Sequence, residues 1–129
     1  MSKVNDAIAK AGIFFLATVD GSQPKLRPLG LHIEADGKTL FGVGDFKAVY
    51  KQLQTNPQCE IVAMTGDGNW LRYTGKAVFE TNPCYAEAAL QSSPDLRSIY
   101  NEQTGYNLMM FHLENATAVL MPSGENLLS

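Results

Sequence analysis

Apolar residues recur with a helical period at the start of the chain and with a strand period through much of the rest. Four of them share the i, i+3, i+4, i+7 spacing of one helix face: Val4, Ala7, Ile8 and Ala11. Ser2 is a suitable N-cap and Gly12 a suitable stop, so the pattern predicts a short amphipathic helix between them.

Runs rich in β-branched and aromatic residues, separated by glycine-containing turns, predict strands over residues 14–19, 25–33, 39–43, 59–65 and 70–80. The closing run, residues 108–122, also reads as strand, with a kink or turn near Glu114 and Asn115. Short loops join most of these runs, which favours hairpin connections.

Three more helices are expected between and after the strands. An apolar stripe starting at Phe46 ends at Asn56-Pro57, and the pairs Asn82-Pro83 and Ser93-Pro94 each place proline after an N-cap. They predict helices over 83–91 and 94–101. Six or seven strands with short helices indicate a small β-barrel with helical plugs.

Length and charge limit the function classes. The 129 residues suit one domain, 1–129, and 10 basic against 13 acidic side chains leave a net charge of −3 with no basic footprint for nucleic acid. The longest apolar run, residues 11–19, is too short to span a bilayer. We therefore expect a cytoplasmic protein that binds neither nucleic acid nor membrane.

No motif for metal or nucleophilic catalysis is visible. Cys59 and Cys84 lie far apart in sequence, and we expect two buried, reduced thiols. His32 and His112 lack the close third ligand that a metal needs, so no metal site is expected. The chain contains no nucleophile-elbow or zinc-protease motif.

The stretch QPKLRPLGLHIE contains a charged residue on an apolar face. In a strand, Arg27 shares a face with Leu29, Leu31 and Ile33, and a guanidinium there needs an anionic partner. Pro28 removes a ladder donor, which confines it to an edge, a bulge or a strand start. Either the strand is frayed, or something other than a neighbouring strand lies against it.

The junction GVGDFK, where a strand runs into a helix, is the second candidate. Gly42 and Gly44 would let a ligand approach the backbone, and a helix N-terminus binds anions. Lys47 in the first turn opposes the helix dipole unless an anion neutralises it, and Lys51 would reinforce it from the next turn. The alternative is a tight turn with a solvated lysine.

The strand WLRYTGKA is the third candidate. Alternation places four side chains on one mainly polar face: Trp70, Arg72, Thr74 and Lys76. Such a face could flank a polar ring system, or it could be an ordinary solvated surface with one tryptophan.

Three segments in this order, FFLATVDGSQPKLRPLG, LFGVGDFKAVYKQLQTNPQCEI and WLRYTGKAVFE, resemble the flavin-binding split barrels similar to pyridoxamine 5′-phosphate oxidase. The resemblance covers roughly residues 10–120. It implies a mainly β fold: a six- to seven-stranded antiparallel split β-barrel with short flanking helices. It also implies a homodimer that holds FMN at the subunit interface.

The resemblance implies flavin contacts on this chain. The FMN phosphate would meet Arg27 and either Lys47 or Lys51. The other implied contacts are Pro28 and Leu29 beside the flavin, the backbone of Val43 and Gly44 along the ribityl chain, and Trp70 or Arg72 near the ring. An apolar closing strand would supply interface surface, through Met109, Met110, Phe111, Leu120 and Met121.

Two differences from the family bear on the activity. Many relatives carry hydroxyl or amide side chains where this chain has Gly42, Val43 and Gly44, so contacts there would come from the backbone. The basic C-terminal substrate motif of the true oxidases is missing, so we do not expect oxidation of pyridoxamine phosphate.

The expected function is that of a small FMN-dependent oxidoreductase with an unidentified small-molecule substrate and no catalytic side chain. The alternatives are a non-catalytic flavin carrier or electron-transfer module, a barrel that binds haem or a deazaflavin, and an interaction domain without a cofactor.

Overall fold

One antiparallel sheet dominates the structure, a computed structural model that describes residues 2–128. Its strands are β1 (Phe14–Asp20), β2 (Gln23–Leu29), β3 (His32–Ala35), β4 (Lys38–Gly44), β5 (Gln58–Met64), β6 (Trp70–Phe79), β7 (Leu108–Met121) and β8 (Glu125–Asn126). The helices are α1 (Lys3–Ala11), α2 (Ala48–Thr55) and α3 (Pro83–Ser92), with a 3₁₀ helix at Pro94–Ser98.

The sheet order is β2-β1-β5-β6-β7-β4-β3, with β8 paired to β7. Every pairing is antiparallel. The sheet curls into a half-barrel with flanking helices, which confirms the predicted split barrel. The two ends of the sheet, β2 and β3, are consecutive in the chain, so the segment between them crosses the split of the barrel.

That crossing corrects the predicted strand 25–33. The strand breaks at Gly30 and Leu31, so β2 and β3 are separate and lie at opposite edges of the sheet. Pro28 therefore lies on an edge strand, which pairs only with β1. An edge tolerates the missing backbone donor of a proline, and this answers the question that the sequence raised about Pro28.

Two apolar clusters hold the fold together. The larger one fills the barrel and joins α1 and α2 to the sheet through fully buried side chains such as Ile8, Phe14, Phe41, Leu53 and Phe111. The smaller one lies under α3 and centres on Leu40, Tyr85, Ala89, Leu108 and Met110. The groove described below opens beside the larger cluster.

The helix caps follow the sequence. Ser2 Oγ accepts a hydrogen bond from the amide of Asn5 at 2.9 Å, and Gly12 ends α1 with a φ of 78°. Asn82 Oδ1 caps α3 by accepting from the amide of Cys84 at 3.0 Å, and Pro83 is the first helical residue. Side-chain capping satisfies amides that a helix start leaves unpaired.

Other local predictions need correction. The helix expected over 94–101 is the short 3₁₀ helix. The kink in β7 is real, since Asn115 has a φ of 51°, but the strand runs on through it. Cys59 is buried as expected, whereas Cys84 is exposed at the start of α3. Among residues 2–128, no helix is long and apolar enough to cross a membrane.

Candidate functional site

A groove of about 410 Å³ lies at the split of the barrel, between β2, β4 and the start of α2. It is lined by Arg27, Pro28 and Leu29 of β2, by Gly42, Val43 and Gly44 of β4, by Lys47, Ala48 and Val49 around the helix start, and by Tyr100. We call it the split groove. The lining contains two cationic side chains and no carboxylate.

Arg27 occupies the inner face of β2, opposite Leu16 of β1. Its Nη1 donates to the carbonyl oxygen of Leu16 at 3.1 Å and to Thr18 Oγ1 at 2.7 Å. Its Nη2 donates to Gln52 Oε1 at 2.7 Å. All three acceptors are uncharged, so the side chain is held in place while its charge stays uncompensated.

The rest of the guanidinium can serve a ligand. Arginine has five N–H donors, and the three bonds above leave the Nε donor and the second Nη2 donor. No acidic side chain within residues 2–128 forms an ion pair with Arg27. Partial burial lowers the pKa of Arg27, because desolvation disfavours its charged form. An anion in the groove would relieve that cost.

The start of α2 adds a second positive element. Lys47 is the N-cap residue of the eight-residue helix, with extended backbone and no side-chain capping bond. The first amides of a helix have no intrahelical partner and favour anions. The neighbouring Asp45 does not cap the helix: its carboxylate accepts bonds from the backbone and side-chain nitrogens of Asn107, each at 3.0 Å.

The two glycines of β4 have a different role from the one expected. A Cβ on Gly42 would come within 2.7 Å of Leu31 and 2.9 Å of the Met110 sulfur. A Cβ on Gly44 would come within 2.7 Å of both Phe46 and the Tyr100 hydroxyl. The space beside each glycine is thus filled by the protein's own side chains, which would have to shift to admit a larger residue.

The remaining site residues suggested by the sequence lie elsewhere. Lys51 lines a neighbouring groove of about 430 Å³, together with Asp20 and Thr55. Trp70 and Arg72 lie on the outer face of β6, where the Arg72 guanidinium carbon is 5.0 Å from the centre of the Trp70 ring. Arg72 Nη1 is also paired with Glu60 Oε2 at 2.7 Å.

The structure therefore brings together the candidates from the first two sequence segments, apart from Lys51, and separates those from the third. It also adds three residues that the sequence did not single out: Thr18, Gln52 and Tyr100. Their involvement depends on how α2 and the segment after α3 dock on the sheet, and no local pattern in the sequence encodes that docking.

A second feature is an apolar surface on the convex side of the sheet, which we call the outer sheet face. It consists of the outward side chains of β1, β2, β5 and β6: Phe15, Leu26, Pro28, Val62, Met64 and Trp70. Phe15 pairs across the strands with both Pro28 and Val62, and Met64 pairs with Trp70. Leu26 is 68% exposed.

The apolar surface expected from the closing strand is smaller than the sequence suggested. Met110 and Phe111 are buried inside the subunit, at 2% and 0% exposure. The outer sheet face carries three of the exposed large apolar side chains, Phe15, Leu26 and Met64.

His112 lies between two carboxylates. His112 Nε2 lies 2.8 Å from Glu114 Oε2, and its Nδ1 lies 2.8 Å from Glu80 Oε1 without the alignment of a hydrogen bond. In the described part of the chain, no three side chains of histidine, cysteine, aspartate or glutamate are grouped to hold a metal ion.

Comparison with known proteins gives a matching family and several similar solved structures. The family profile described as pyridoxamine 5′-phosphate oxidase matches residues 1–113. Among solved structures, a NimC/NimA family protein from Clostridium acetobutylicum is 28% identical, with a TM-score of 0.88, covering 97% of this chain and 90% of that one. No curated protein matches the sequence.

Two more distant structures share the fold. General stress protein 26 from Bacillus anthracis is 14% identical, with a TM-score of 0.70 and coverage of 96% of this chain and 97% of that chain. A protein from Clostridium acetobutylicum related to general stress protein 26, of the pyridoxinephosphate oxidase family, is 12% identical, with a TM-score of 0.70 and coverage of 96% and 89%. The chain belongs to the pyridoxamine 5′-phosphate oxidase family of split barrels, whose members generally bind flavin.

Proposed function

We propose that this protein binds FMN in the split groove and acts as a small flavin-dependent oxidoreductase. The observation that carries the proposal is Arg27, a partly buried cation held by three uncharged acceptors and left without an acidic partner. A phosphate is the anion that a flavin of this family would bring to such a group.

The residues present fit a flavin phosphate. Arg27 offers two further N–H donors, and Lys47 and the free amides at the start of α2 lie along the same groove. Val43 and Gly44 line the groove as buried residues of β4, while Pro28 and Leu29 supply apolar walls. Charged and apolar parts of the lining thus match the two halves of FMN.

When bound, FMN supplies the redox chemistry, and the protein contributes binding, orientation and exclusion of water. This division suits a site whose lining has no acid or base other than the two cations and Tyr100. Burial raises the pKa of the Tyr100 hydroxyl, so Tyr100 is a neutral hydrogen-bonding wall of the groove at ordinary pH.

A larger groove adjoins the split groove and favours substrates without a phosphate. Its volume is about 510 Å³, and Tyr100 belongs to both linings. The lining includes Glu102 and also Glu80, which is paired with Lys38 at 2.8 Å, but no lysine or arginine. We infer that an anionic substrate such as pyridoxamine phosphate would be disfavoured here, and that neutral or cationic molecules are the better candidates.

We further propose a homodimer formed through the outer sheet face, with FMN near the interface. An exposed apolar surface spread over four strands usually marks a contact site. Pro28 belongs both to this face and to the split groove, so a partner on the face would also border the groove. Trp70 and Arg72 lie on the face that meets the partner.

The direct test is to identify what the purified protein carries. After denaturation, mass spectrometry of the released small molecule should give the mass of FMN. Release of haem or of a deazaflavin would contradict the proposal. Turnover of NADH or NADPH with an artificial acceptor then distinguishes an oxidoreductase from a carrier that does not turn over.

A further inference from the structure

Gln52 of α2 closes a triangle of hydrogen bonds around the Arg27 guanidinium. Its Oε1 accepts from Thr18 Oγ1 at 2.6 Å and from Arg27 Nη2 at 2.7 Å. Thr18 Oγ1 in turn accepts from Arg27 Nη1 at 2.7 Å. Thr18 is buried, and the triangle holds the guanidinium while its Nε donor and one Nη2 donor stay free.

The choice of glutamine at this position is informative. Only the amide oxygen of Gln52 is used, and its nitrogen makes no hydrogen bond in this network. A glutamate of the same size would accept both bonds and would add attraction to the arginine. A purely structural role would therefore be served at least as well by glutamate.

Glutamate would, however, neutralise Arg27. A carboxylate at 2.7 Å would pair with the guanidinium and repel a second anion approaching its other side. The uncharged amide holds the guanidinium in the same position without taking its charge. The difference between the two side chains thus affects the anion that binds, rather than the fold.

We propose that Gln52 is a positioning residue that sets the preference of the split groove for a phosphorylated flavin over an unphosphorylated one. It does so by orienting Arg27 while leaving its charge available. This inference rests on the proposed FMN site and assigns the origin of its phosphate selectivity.

The test compares Gln52→Glu with Gln54→Glu in the purified apo-protein, each titrated with FMN and with riboflavin. Gln54 is exposed on the same helix, where its Nε2 donates to the Tyr50 hydroxyl, so the control adds the same charge outside the triangle. We expect Gln52→Glu to weaken FMN binding by about tenfold or more, the loss of one charge-assisted bond. Riboflavin binding should change by less than about twofold, and Gln54→Glu should match the parent.

Three results would overturn the proposal: FMN binding by Gln52→Glu equal to that of the parent, an equal loss for FMN and riboflavin, or an equal loss in Gln54→Glu. If circular dichroism shows that Gln52→Glu does not fold, the Gln52→Met variant is used to test the positioning role. It removes both bonds without adding charge, and an unchanged ratio of FMN to riboflavin affinity in that variant would contradict the positioning role.

Titration with inorganic phosphate, followed by ³¹P NMR, separates this inference from the proposed function. If the parent binds phosphate but not FMN, and Gln52→Glu binds phosphate at least about tenfold more weakly, the FMN proposal fails while the orientation of Arg27 by Gln52 for a phosphate is retained. If the parent binds neither FMN nor phosphate, both proposals fail.

Discussion

At the scale of single residues, the site depends on a cation whose partners are all neutral. Arg27 could be singled out from the sequence because alternation placed a guanidinium on an apolar face of a strand. Lys47 could be singled out because the sequence placed it in the first turn of a helix, although the structure places it one residue earlier, at the N-cap. Gln52 could not, because it reaches Arg27 only after α2 docks on β1, across 25 residues of sequence.

Replacing Lys47 by alanine should weaken FMN binding by about 10- to 150-fold, the loss expected for one charge-assisted contact with a phosphate. Folding should be unaffected, because Lys47 is exposed. Lys51→Ala is the matched control, since it removes the same charge from the next turn in a separate groove. Quenching of FMN fluorescence measures the FMN affinity of both variants. A larger loss of FMN affinity in Lys51→Ala than in Lys47→Ala would indicate that the phosphate binds in the neighbouring groove instead.

At the scale of elements, most helices and strands follow directly from periodicity and turn residues. The failures have identifiable causes. The run over 25–33 was predicted as one strand in spite of Pro28 and Gly30, yet the barrel splits there and the chain crosses at Gly30. Strand alternation indicated that Trp70 and Arg72 share one face of β6. Their separation from Arg27 depends on the order of strands in the sheet, which alternation does not give.

Substitution of Gly75 tests how closely β6 and β7 pack at their bulge, where the register shifts between Thr74 and Lys76. A Cβ there would lie 3.0 Å from the Glu114 carbonyl oxygen and 3.1 Å from the Ala116 Cβ. Because neither atom can rotate away, Gly75→Ala should lower the free energy of unfolding by about 1–3 kcal/mol. Gly30→Ala, whose Cβ would meet only Ile13 at 3.4 Å, is the control in urea denaturation. Equal stability of the two variants would contradict this account of the bulge.

An ion pair between elements should make stability fall in acid. Lys10 Nζ of α1 lies 2.7 Å from Asp67 Oδ2 in the β5–β6 turn, and this bond, with those from Thr65 and the Asn69 amide, lowers the pKa of Asp67 well below its ordinary value. A folded-state pKa below the unfolded one gives stability that is present above the unfolded pKa of about 3.9 and is lost as pH falls further.

Asp67→Asn should therefore be less stable than the parent at neutral pH, with a shallower loss of stability between about pH 5 and pH 2. Urea midpoints measured across this range test the prediction. Asp95→Asn, on the exposed 3₁₀ helix, controls for the change in net charge. An identical pH profile for Asp67→Asn and the parent would show that the pair does not contribute.

At the scale of the whole molecule, the fold class was predictable because hairpins, alternation and short helices all favour a small barrel. The outer sheet face was not predictable. The closing strand looked more apolar in sequence, but Phe111 packs in the barrel cluster and Met110 in the cluster under α3. Both faces of β7 are covered there, because the barrel lies on one side and α3 on the other.

The outer sheet face should hold two copies together. Leu26→Glu places a charge on a residue of this face that is 68% exposed, and it should shift the protein from dimer to monomer in sedimentation equilibrium at micromolar concentration. Ile99→Glu, at an exposed apolar position outside this face, should remain dimeric. A monomeric parent with its cofactor bound would contradict the proposed interface.

The central claim is that the split groove recognises the phosphate of FMN, and one comparison tests it most directly: calorimetric titration of the apo-protein with FMN and with riboflavin. These ligands differ only in the phosphate. With Arg27 and Lys47 both contributing charge-assisted contacts, FMN should bind at least about 100-fold more tightly than riboflavin. Equal affinities for the two ligands would show that the uncompensated charge of Arg27 serves another purpose.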